Sequence, residues 1–257
     1  MTSVGSNATR CEDGFASDGQ ASRPETGAVS GRSWSPPQLD LLRAAGNEAV
    51  HSVRSALWPL ARLHPLPEPT PGGPSAVLVH GLFGHRDMLR PLARRLFEAG
   101  WGHVGRVGYP STRSSIEDIG EHIGAAIRAC PDGPVDLVGH SLGAVACRAW
   151  LRSSAESSRV RRFVSLGGPH AGTSLYRFVP GRLRPVLDPR GSWVRQMADG
   201  VDPVPTTVIR ARYDHQVFPP RRARIDGAAE IVIGGVGHNG LLWHSASHDA
   251  VLDALSG

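Results

Sequence analysis

From residue 75 onward, short apolar segments alternate with stretches in which apolar residues recur every three to four positions. The first pattern is typical of strands buried on both faces, and the second is typical of helices that pack one face against a core. The alternation predicts an α/β fold with a mostly parallel sheet of about six strands and helices on both faces. The expected strands are 76–79, 102–107, 135–138, 160–166, 206–211 and 230–233, and the expected helices are 86–99, 116–127, 142–152 and 245–255.

The chain before residue 75 has a different composition. Residues 1–35 are rich in glycine, serine and threonine and poor in large apolar residues, which predicts a disordered tail. Residues 36–62 have apolar residues at helical spacing and indicate an amphipathic helix. Residues 64–74, HPLPEPTPGGP, form a stiff proline-rich linker. The expected organisation is therefore a tail at 1–35, a helix with its linker at 36–74 and an α/β domain at 75–257.

Every basic residue in this chain is an arginine. The 28 arginines outnumber the 23 acidic residues and give a formal net charge of +5. The absence of lysine excludes Schiff-base chemistry, a lysine-type phosphate loop and a serine–lysine dyad. A basic chain can bind nucleic acid or an anionic membrane. The sequence has neither a basic stripe interleaved with aromatic residues nor a groove-reading motif, so we expect no nucleic-acid partner.

Signals for a disulfide, a metal or a membrane span are weak. Cys11, Cys130 and Cys147 are odd in number and match no metal-binding spacing, which favours reduced thiols while a Cys130–Cys147 bridge stays open. His244 and His248 have no third ligand nearby, so we expect surface histidines and no metal. No apolar run reaches the length of about 18 residues that a transmembrane helix needs. The N-terminus lacks a signal-peptide pattern, which favours the cytoplasm unless the true start lies elsewhere.

Ser141 lies in the motif Gly139-x-Ser141-x-Gly143, between an expected strand and an expected helix. In this context a serine forms a nucleophile elbow, a tight and strained turn that has room only for small residues on either side. The turn lifts the serine above the edge of the sheet and places its hydroxyl near the positive end of the helix. The carboxyl ends of parallel strands are where α/β proteins place their sites. The motif therefore predicts that Ser141 is a catalytic nucleophile.

A serine hydroxyl is a weak nucleophile and needs a base within hydrogen-bond reach. His238 follows the last expected strand, in a glycine-rich loop that leaves the imidazole free to swing over the sheet. His140 adjoins the serine, but its side chain is expected to point away from the hydroxyl. Asp214 follows the preceding strand and would accept a hydrogen bond from the imidazole Nδ1–H. We therefore expect His238 as the base and Asp214 as the acid, with Asp226 as the fallback.

Acyl transfer develops negative charge on the carbonyl oxygen, and two backbone N–H groups usually stabilise it. Leu142, directly after the serine, is expected to supply one of them. The loop after the first strand, residues 80–84, is expected to supply the other, from Leu82 in preference to Phe83. Because the backbone donates in both cases, the side chains of Leu82 and Phe83 stay free to line an acyl pocket and bind substrate.

These motifs resemble those of the α/β-hydrolase superfamily, and within it the small bacterial lipases and esterases. The segment GVGHNGLL, residues 235–242, resembles the histidine-bearing loop of minimal, nearly lidless lipases. The resemblance covers the chain from about residue 75 to its end and leaves the first 74 residues unmatched. The matching segments are VLVHGLFG (77–84), VGYPSTRSSIEDI (107–119), VDLVGHSLGAV (135–145), VSLGGPHAGT (164–173) and GVGHNGLL (235–242).

The resemblance implies an α/β-hydrolase catalytic domain at 75–257 that hydrolyses acyl esters or lipids with a serine triad and without a cofactor. It gives the same roles to Ser141, Asp214, His238, Leu82 and Leu142 as the motifs do. It also implies a short cap at residues 171–203, an irregular segment. The apolar and cationic composition of this segment suits contact with an anionic lipid surface or an acidic substrate group, and it equally suits a solvated loop in an arginine-rich chain. Two alternatives remain open: an acyltransferase or thioesterase on the same triad, and a catalytically silent binding protein of this fold.

Overall fold

In the computed structural model of this protein, six strands run parallel in one sheet within the described residues 37–63, 65–200 and 202–257. Their order across the sheet confirms the predicted α/β architecture. The predicted tail at 1–35 lies outside the described residues. The strands are β1 (Ser75–Val79), β2 (His103–Val107), β3 (Val135–His140), β4 (Val160–Leu166), β5 (Thr206–Ala211) and β6 (Ala229–Ile233), arranged β2-β1-β3-β4-β5-β6.

Helices cover both faces of this sheet. They are α1 (Pro37–Ala56), α2 (Arg90–Glu98), α3 (Ile116–Arg128), α4 (Leu142–Ser153), α5 (Arg184–Leu187), α6 (Ser192–Ala198), α7 (Gly240–Trp243) and α8 (Ser245–Ser256). On one face, Leu96 of α2 and Val251 of α8 belong to the same buried cluster as Leu78 of β1. On the other face, Ile123 of α3 and Val145 of α4 pack in a second cluster that includes other strand residues. This layering is the one expected for strands that are apolar on both sides.

The carboxyl ends of the strands meet at one edge of the sheet. Val79 at the end of β1 pairs with Val107 of β2 and Gly139 of β3. Leu166 at the end of β4 pairs with Ile209 of β5. The loops that follow β1, β3, β5 and β6 carry the predicted site residues and therefore leave the sheet on the same side.

Residues 171–203, expected to be irregular, contain short helices. Two 3-10 helices, Tyr176–Phe178 and Gly181–Leu183, precede α5 and α6. Four apolar residues of this segment pack into the buried cluster formed with α3 and α4: Val179, Leu183, Val186 and Leu187. The expectation of irregular chain was wrong because none of these helices exceeds seven residues, which is too short for a periodic apolar pattern to show.

Helix α1 confirms the predicted helix but turns its apolar stripe toward solvent. Leu42 is 68% exposed and Val53 is 58% exposed, whereas Glu48 and His51 are buried. The helix ends at Ala56, and a 3-10 helix, Trp58–Leu63, follows it. An amphipathic helix ordinarily buries its apolar face. Here the buried face is polar because it forms hydrogen bonds with the loop between β6 and α7.

The structure also tests the expectations for a membrane span, a disulfide and His248. None of the helices in the described part of the chain is long and apolar enough to cross a membrane. Cys130 and Cys147 are free buried thiols, so the bridge that the sequence left open is not formed in the structure. His248 was wrongly expected at the surface: it is buried, and it forms a hydrogen bond of 2.8 Å between its Nε2 and the Leu242 carbonyl.

Candidate active site

Ser141 occupies the sharp turn between β3 and α4. Its φ of 53° lies in the left-handed region that residues with a side chain rarely adopt, and its N–H donates to the Leu166 carbonyl at 2.8 Å. A Cβ at position 139 would lie 2.5 Å from Ala144 Cα, and one at position 143 would lie 2.3 Å from the His80 carbonyl oxygen. Only glycine fits at Gly139 and Gly143, so the surrounding backbone holds the strained turn in place.

The loop after β6 brings His238 to the same edge of the sheet. The imidazole is 1% exposed, and its Nδ1–H donates to Asp214 Oδ2 at 2.8 Å. The other ring nitrogen, Nε2, is buried and has no hydrogen-bond partner within the described residues. The neutral ring therefore keeps a lone pair on Nε2, which is the atom a general base uses.

Residues at the end of β4 lie between the serine and the histidine. The Ser141 N–H is bound to Leu166, and a Cβ on the next residue, Gly167, would lie 3.4 Å from His238 Cε1. In addition, the ring of His140, which precedes Ser141, has its centroid 4.9 Å from that of His238. The structure thus brings the predicted nucleophile and the predicted base to one small region. Within the described residues no hydrogen bond joins the Ser141 hydroxyl to His238 Nε2, and such bonds often tighten only when substrate binds.

Asp214 is buried, and both of its carboxylate oxygens accept hydrogen bonds. Oδ2 accepts from His238, and Oδ1 accepts from the backbone N–H groups of Gln216 and Val217, each at 2.8 Å. Burial alone would raise the pKa of Asp214, but attraction to His238 and these hydrogen bonds lower it below its usual value. The fallback residue, Asp226, is exposed in the turn before β6. The structure therefore places Asp214, and not Asp226, against the histidine.

The charge of this pair favours the protonated imidazole. Burial would lower the pKa of His238, but the Asp214 carboxylate outweighs burial and raises the pKa above its usual value. A second carboxylate, that of Glu48, acts in the same direction. A positive charge on His238 would therefore be stabilised by its surroundings.

Two further histidines surround the site as neutral side chains. Burial lowers the pKa of His140 to about 3 and that of His80 to about 4. His140 Nε2 lies 3.3 Å from the His238 carbonyl, to which it can donate. His80 Nδ1 lies 2.9 Å from the Gly81 carbonyl, and its ring stacks on Tyr109 at 4.2 Å. The sequence placed His140 beside Ser141, but its contact with the His238 carbonyl joins residues 98 positions apart and depends on the tertiary fold.

The loop after β1 lies directly beside Ser141. A Cβ at Gly81 would lie 2.8 Å from Ser141 Cβ, and the Gly84 N–H donates to the Gly81 carbonyl at 3.1 Å, which closes a tight turn. Leu82 in this turn is half-buried against the core. On the other side of the serine, Leu142 is the first residue of α4, so its N–H has no partner within the helix. Both predicted oxyanion donors are therefore next to Ser141.

Large apolar side chains are exposed around this edge of the sheet. Phe83 is 72% exposed, and its φ of 57° is again in the left-handed region. Leu175 and Phe218 are also exposed, and Thr173 links their segments because its Oγ1 accepts from the N–H of each. Phe178, at 84% exposure, continues the apolar surface along residues 171–203.

Comparison with known proteins gives a family and a fold. The model of a family described as palmitoyl protein thioesterase matches residues 76–215, which is more than half of the chain. The lipase BlEst2 of Bacillus licheniformis has a similar structure, with a TM-score of 0.59 at 17% identity over 75% of this chain and 96% of that one.

Two further solved structures are also similar. The type II thioesterase BorB from the borrelidin biosynthetic cluster aligns with a TM-score of 0.53 at 21% identity, over 74% of this chain and 94% of that one. The carboxylesterase CesB of Bacillus subtilis aligns with a TM-score of 0.52 at 14% identity, over 74% of this chain and 86% of that one. At these identities the likeness establishes the α/β-hydrolase fold.

Proposed function

The chain belongs to the palmitoyl protein thioesterase family, and from this premise we propose that it is a serine hydrolase that cleaves carboxylic acyl esters as a lipase or carboxylesterase. The observation that carries the proposal is the state of His238. Its Nδ1–H is bound to the buried Asp214 carboxylate, and its Nε2 is without a partner in the described part of the chain. This arrangement, close to a serine on a strained turn, suits the activation of a hydroxyl nucleophile.

The reaction proceeds in two halves. His238 Nε2 takes the proton of the Ser141 hydroxyl as Oγ attacks the acyl carbon, and the backbone N–H groups of Leu82 and Leu142 stabilise the oxyanion. The imidazolium then gives its proton to the leaving alcohol, which departs and leaves an acyl-enzyme. Water, deprotonated by the same nitrogen, attacks the acyl carbon, and Ser141 leaves with the proton returned by His238. Asp214 keeps the ring oriented throughout.

A thioester is the second candidate substrate, and the family match favours it. A thioester differs from an ester in its leaving group, because a thiolate leaves with less need of protonation than an alkoxide. The same residues can therefore serve both substrates. A comparison of kcat/KM for an ester and a thioester that carry the same acyl chain would distinguish the two candidate substrates.

Hydrolysis of a p-nitrophenyl ester series from acetate to palmitate tests the main proposal. We expect turnover by the wild-type protein and its loss in Ser141→Ala, with Ser158→Ala as a matched control on an exposed serine outside residues 171–203. A fluorophosphonate probe is expected to label Ser141 in the wild type. A wild-type protein that neither turns over any ester or thioester nor takes the label would instead be a silent binding protein of this fold.

Residues 171–203 form the surface that we propose for contact with lipid. Phe178 and Leu175 are exposed there, and Arg177 and Arg182 lie in the same short helices. An apolar surface with arginines beside it suits the interface of an anionic membrane. Co-sedimentation with vesicles should increase with the anionic lipid fraction and decrease in Phe178→Ser. Binding that is independent of lipid charge would argue against this surface.

A further inference from the structure

The segment that carries His238, residues 234–243, consists of the loop after β6 and the short helix α7, and the polar face of α1 holds it. We call this segment the histidine loop. Near its start, Asn47 Nδ2–H donates to the Gly235 carbonyl at 2.7 Å. At its end, Trp243 Nε1–H donates to Ser55 Oγ at 3.0 Å. Helix α1 thus contacts both ends of the histidine loop, although about 190 residues separate the two segments in the chain.

Glu48 lies between these two contacts and touches the residues that follow His238. Its carboxylate accepts from the Asn239 N–H at 3.0 Å, from the Asn239 side-chain Nδ2–H at 2.8 Å and from the Gly240 N–H at 3.2 Å. The residue is only 8% exposed. A Cβ at Gly237 would lie 2.5 Å from Glu48 Oε2, so the backbone before His238 also passes close to the carboxylate.

The peptide unit between His238 and Asn239 is held on both sides. Its carbonyl oxygen lies 3.3 Å from His140 Nε2, and its N–H donates to Glu48. A peptide unit fixed at both its donor and its acceptor cannot rotate without breaking one of the two hydrogen bonds. The position of the imidazole therefore depends on the backbone contacts of Glu48 and His140 as well as on Asp214.

The charge of Glu48 also acts on the imidazole. Four other titratable groups surround Glu48 and His238: Asp214 and His215 after β5, His140 at the end of β3 and His51 on α1. Of these, His215 has its Nε2 3.8 Å from Glu48 Oε1. Burial lowers the pKa of His238, while Asp214 and then Glu48 raise it. A buried carboxylate is screened less by solvent than an exposed one, so its effect reaches beyond direct contact.

We propose that Glu48 is a positioning residue of the active site, which fixes the backbone of the histidine loop and stabilises the positive charge that His238 acquires when it accepts the Ser141 proton. This inference rests on the proposed function, because it requires His238 to act as the base. Glu48 and His238 both lie outside residues 76–215, the part of the chain that the family model matches. The chain thus supports its base with a helix that precedes the matched region.

Labelling of Ser141 by a fluorophosphonate tests the proposal without knowledge of the natural substrate. In this reaction Ser141 Oγ attacks phosphorus, fluoride leaves and His238 takes the serine proton, so the rate reports the neutral fraction of His238. We would measure the rate against pH in the full-length wild type, Glu48→Gln, Glu48→Asp and Glu121→Gln. Glu121→Gln is the matched control, since it makes the same change at an exposed glutamate of α3.

For Glu48→Gln we expect a plateau rate about 10-fold below wild type, because the loop is less well fixed. We also expect the midpoint of the pH profile to move down by roughly 0.5–1 pH unit, because a negative charge is lost. In ester hydrolysis kcat should fall while KM is unchanged. Glu48→Asp keeps the charge but has a shorter reach, so it should keep nearly the wild-type midpoint with a reduced plateau. Glu121→Gln should match the wild type.

The outcomes that contradict the proposal are distinct from a failure of the proposed function. A wild-type plateau and midpoint in Glu48→Gln would overturn the inference while the wild type remains an active hydrolase. If Glu48→Gln does not fold, as judged by circular dichroism, Glu48→Asp decides, and a wild-type plateau there overturns the inference. If the wild type itself is neither labelled nor active, the proposed function fails, and the role of Glu48 fails with it.

Discussion

The two ring nitrogens of His238 lie in different environments, and this difference gives the residue its proposed role. Nδ1 is tied to Asp214, which fixes the tautomer, and Nε2 is left for proton transfer. The carboxylate in turn is held by two backbone N–H groups from the loop after β5. The orientation of the imidazole therefore depends on the backbone at several points, and single substitutions should separate these contributions.

Asp214→Asn should reduce kcat by about 10³–10⁴, because an amide can donate to Nδ1 and so favours the tautomer with its proton on Nε2. The measurement is ester hydrolysis under saturating substrate, with folding checked by circular dichroism. Asp226→Asn is the matched control, since Asp226 is exposed, and it should leave kcat unchanged. The opposite pattern, with activity lost only in Asp226→Asn, would mean that the acid has been misassigned.

Gly143→Ala should destabilise the turn that holds Ser141. The added methyl group would lie 2.3 Å from the His80 carbonyl oxygen, so the backbone of either β1 or α4 must move. We expect the free energy of unfolding to fall by about 2 kcal/mol or more, measured by urea denaturation. Gly181→Ala provides the control, because a Cβ there has open space around it and should change stability by less than about 0.5 kcal/mol. Equal effects of the two substitutions would refute the steric argument.

At the scale of elements, the sheet was predictable from the sequence and the orientation of α1 was not. The strands are recognisable because they are short and mainly apolar, and β1 and β3 are buried along their whole length. The orientation of α1 depends instead on hydrogen bonds to residues far along the chain, such as the one from Asn239 to Glu48 across 191 positions. The spacing of apolar residues along α1 does not indicate such a long-range contact. The apolar stripe alone would have predicted the opposite orientation.

Substitutions on the two faces of α1 test its orientation. Asn47→Ala removes the hydrogen bond to the Gly235 carbonyl and should lower the free energy of unfolding by about 1 kcal/mol. Leu42→Ala acts on the exposed stripe and should change it by less than about 0.5 kcal/mol. Thermal and urea denaturation of both variants would measure this. A larger loss for Leu42→Ala than for Asn47→Ala would show that the apolar face is the one that docks.

At the scale of the whole molecule, the candidate site draws on nearly the full length of the described chain. Ser141 and Asp214 lie within the region that the family model matches, whereas His238 and Glu48 come from the segments after and before it. The sequence predicted that Ser141, Asp214 and His238 each follow the end of a strand, because the motifs and their order along the chain can be read directly from the sequence. It did not predict the support from Glu48 and His140, because these contacts form only when distant segments pack together.

The neutral histidines that are buried in this protein should make its stability depend on pH. Burial lowers the pKa of His80 to about 4 and those of His140 and His170 to about 3, while an unfolded histidine titrates near pH 6.5. Below about pH 6.5 the unfolded chain therefore binds protons that the native state does not. Each such histidine should lower the free energy of unfolding by up to about 1.4 kcal/mol per pH unit as the pH falls toward its folded value. His238 has a raised pKa and opposes this trend.

His170 offers the clearest test of this pH dependence, because it is buried with its Nε2 2.7 Å from Ser165 Oγ and is not one of the three residues of the proposed triad. Urea denaturation at a series of pH values between neutrality and about pH 5 gives the slope of stability against pH. His170→Gln should reduce this slope by up to about 1.4 kcal/mol per pH unit, which corresponds to one bound proton. This change in slope is expected whatever the effect of the substitution on stability at neutral pH. His122→Gln, on an exposed histidine of α3, should leave the slope near that of the wild type. An unchanged slope in His170→Gln would mean that this histidine is protonated in the native state, which its buried contact with Ser165 argues against.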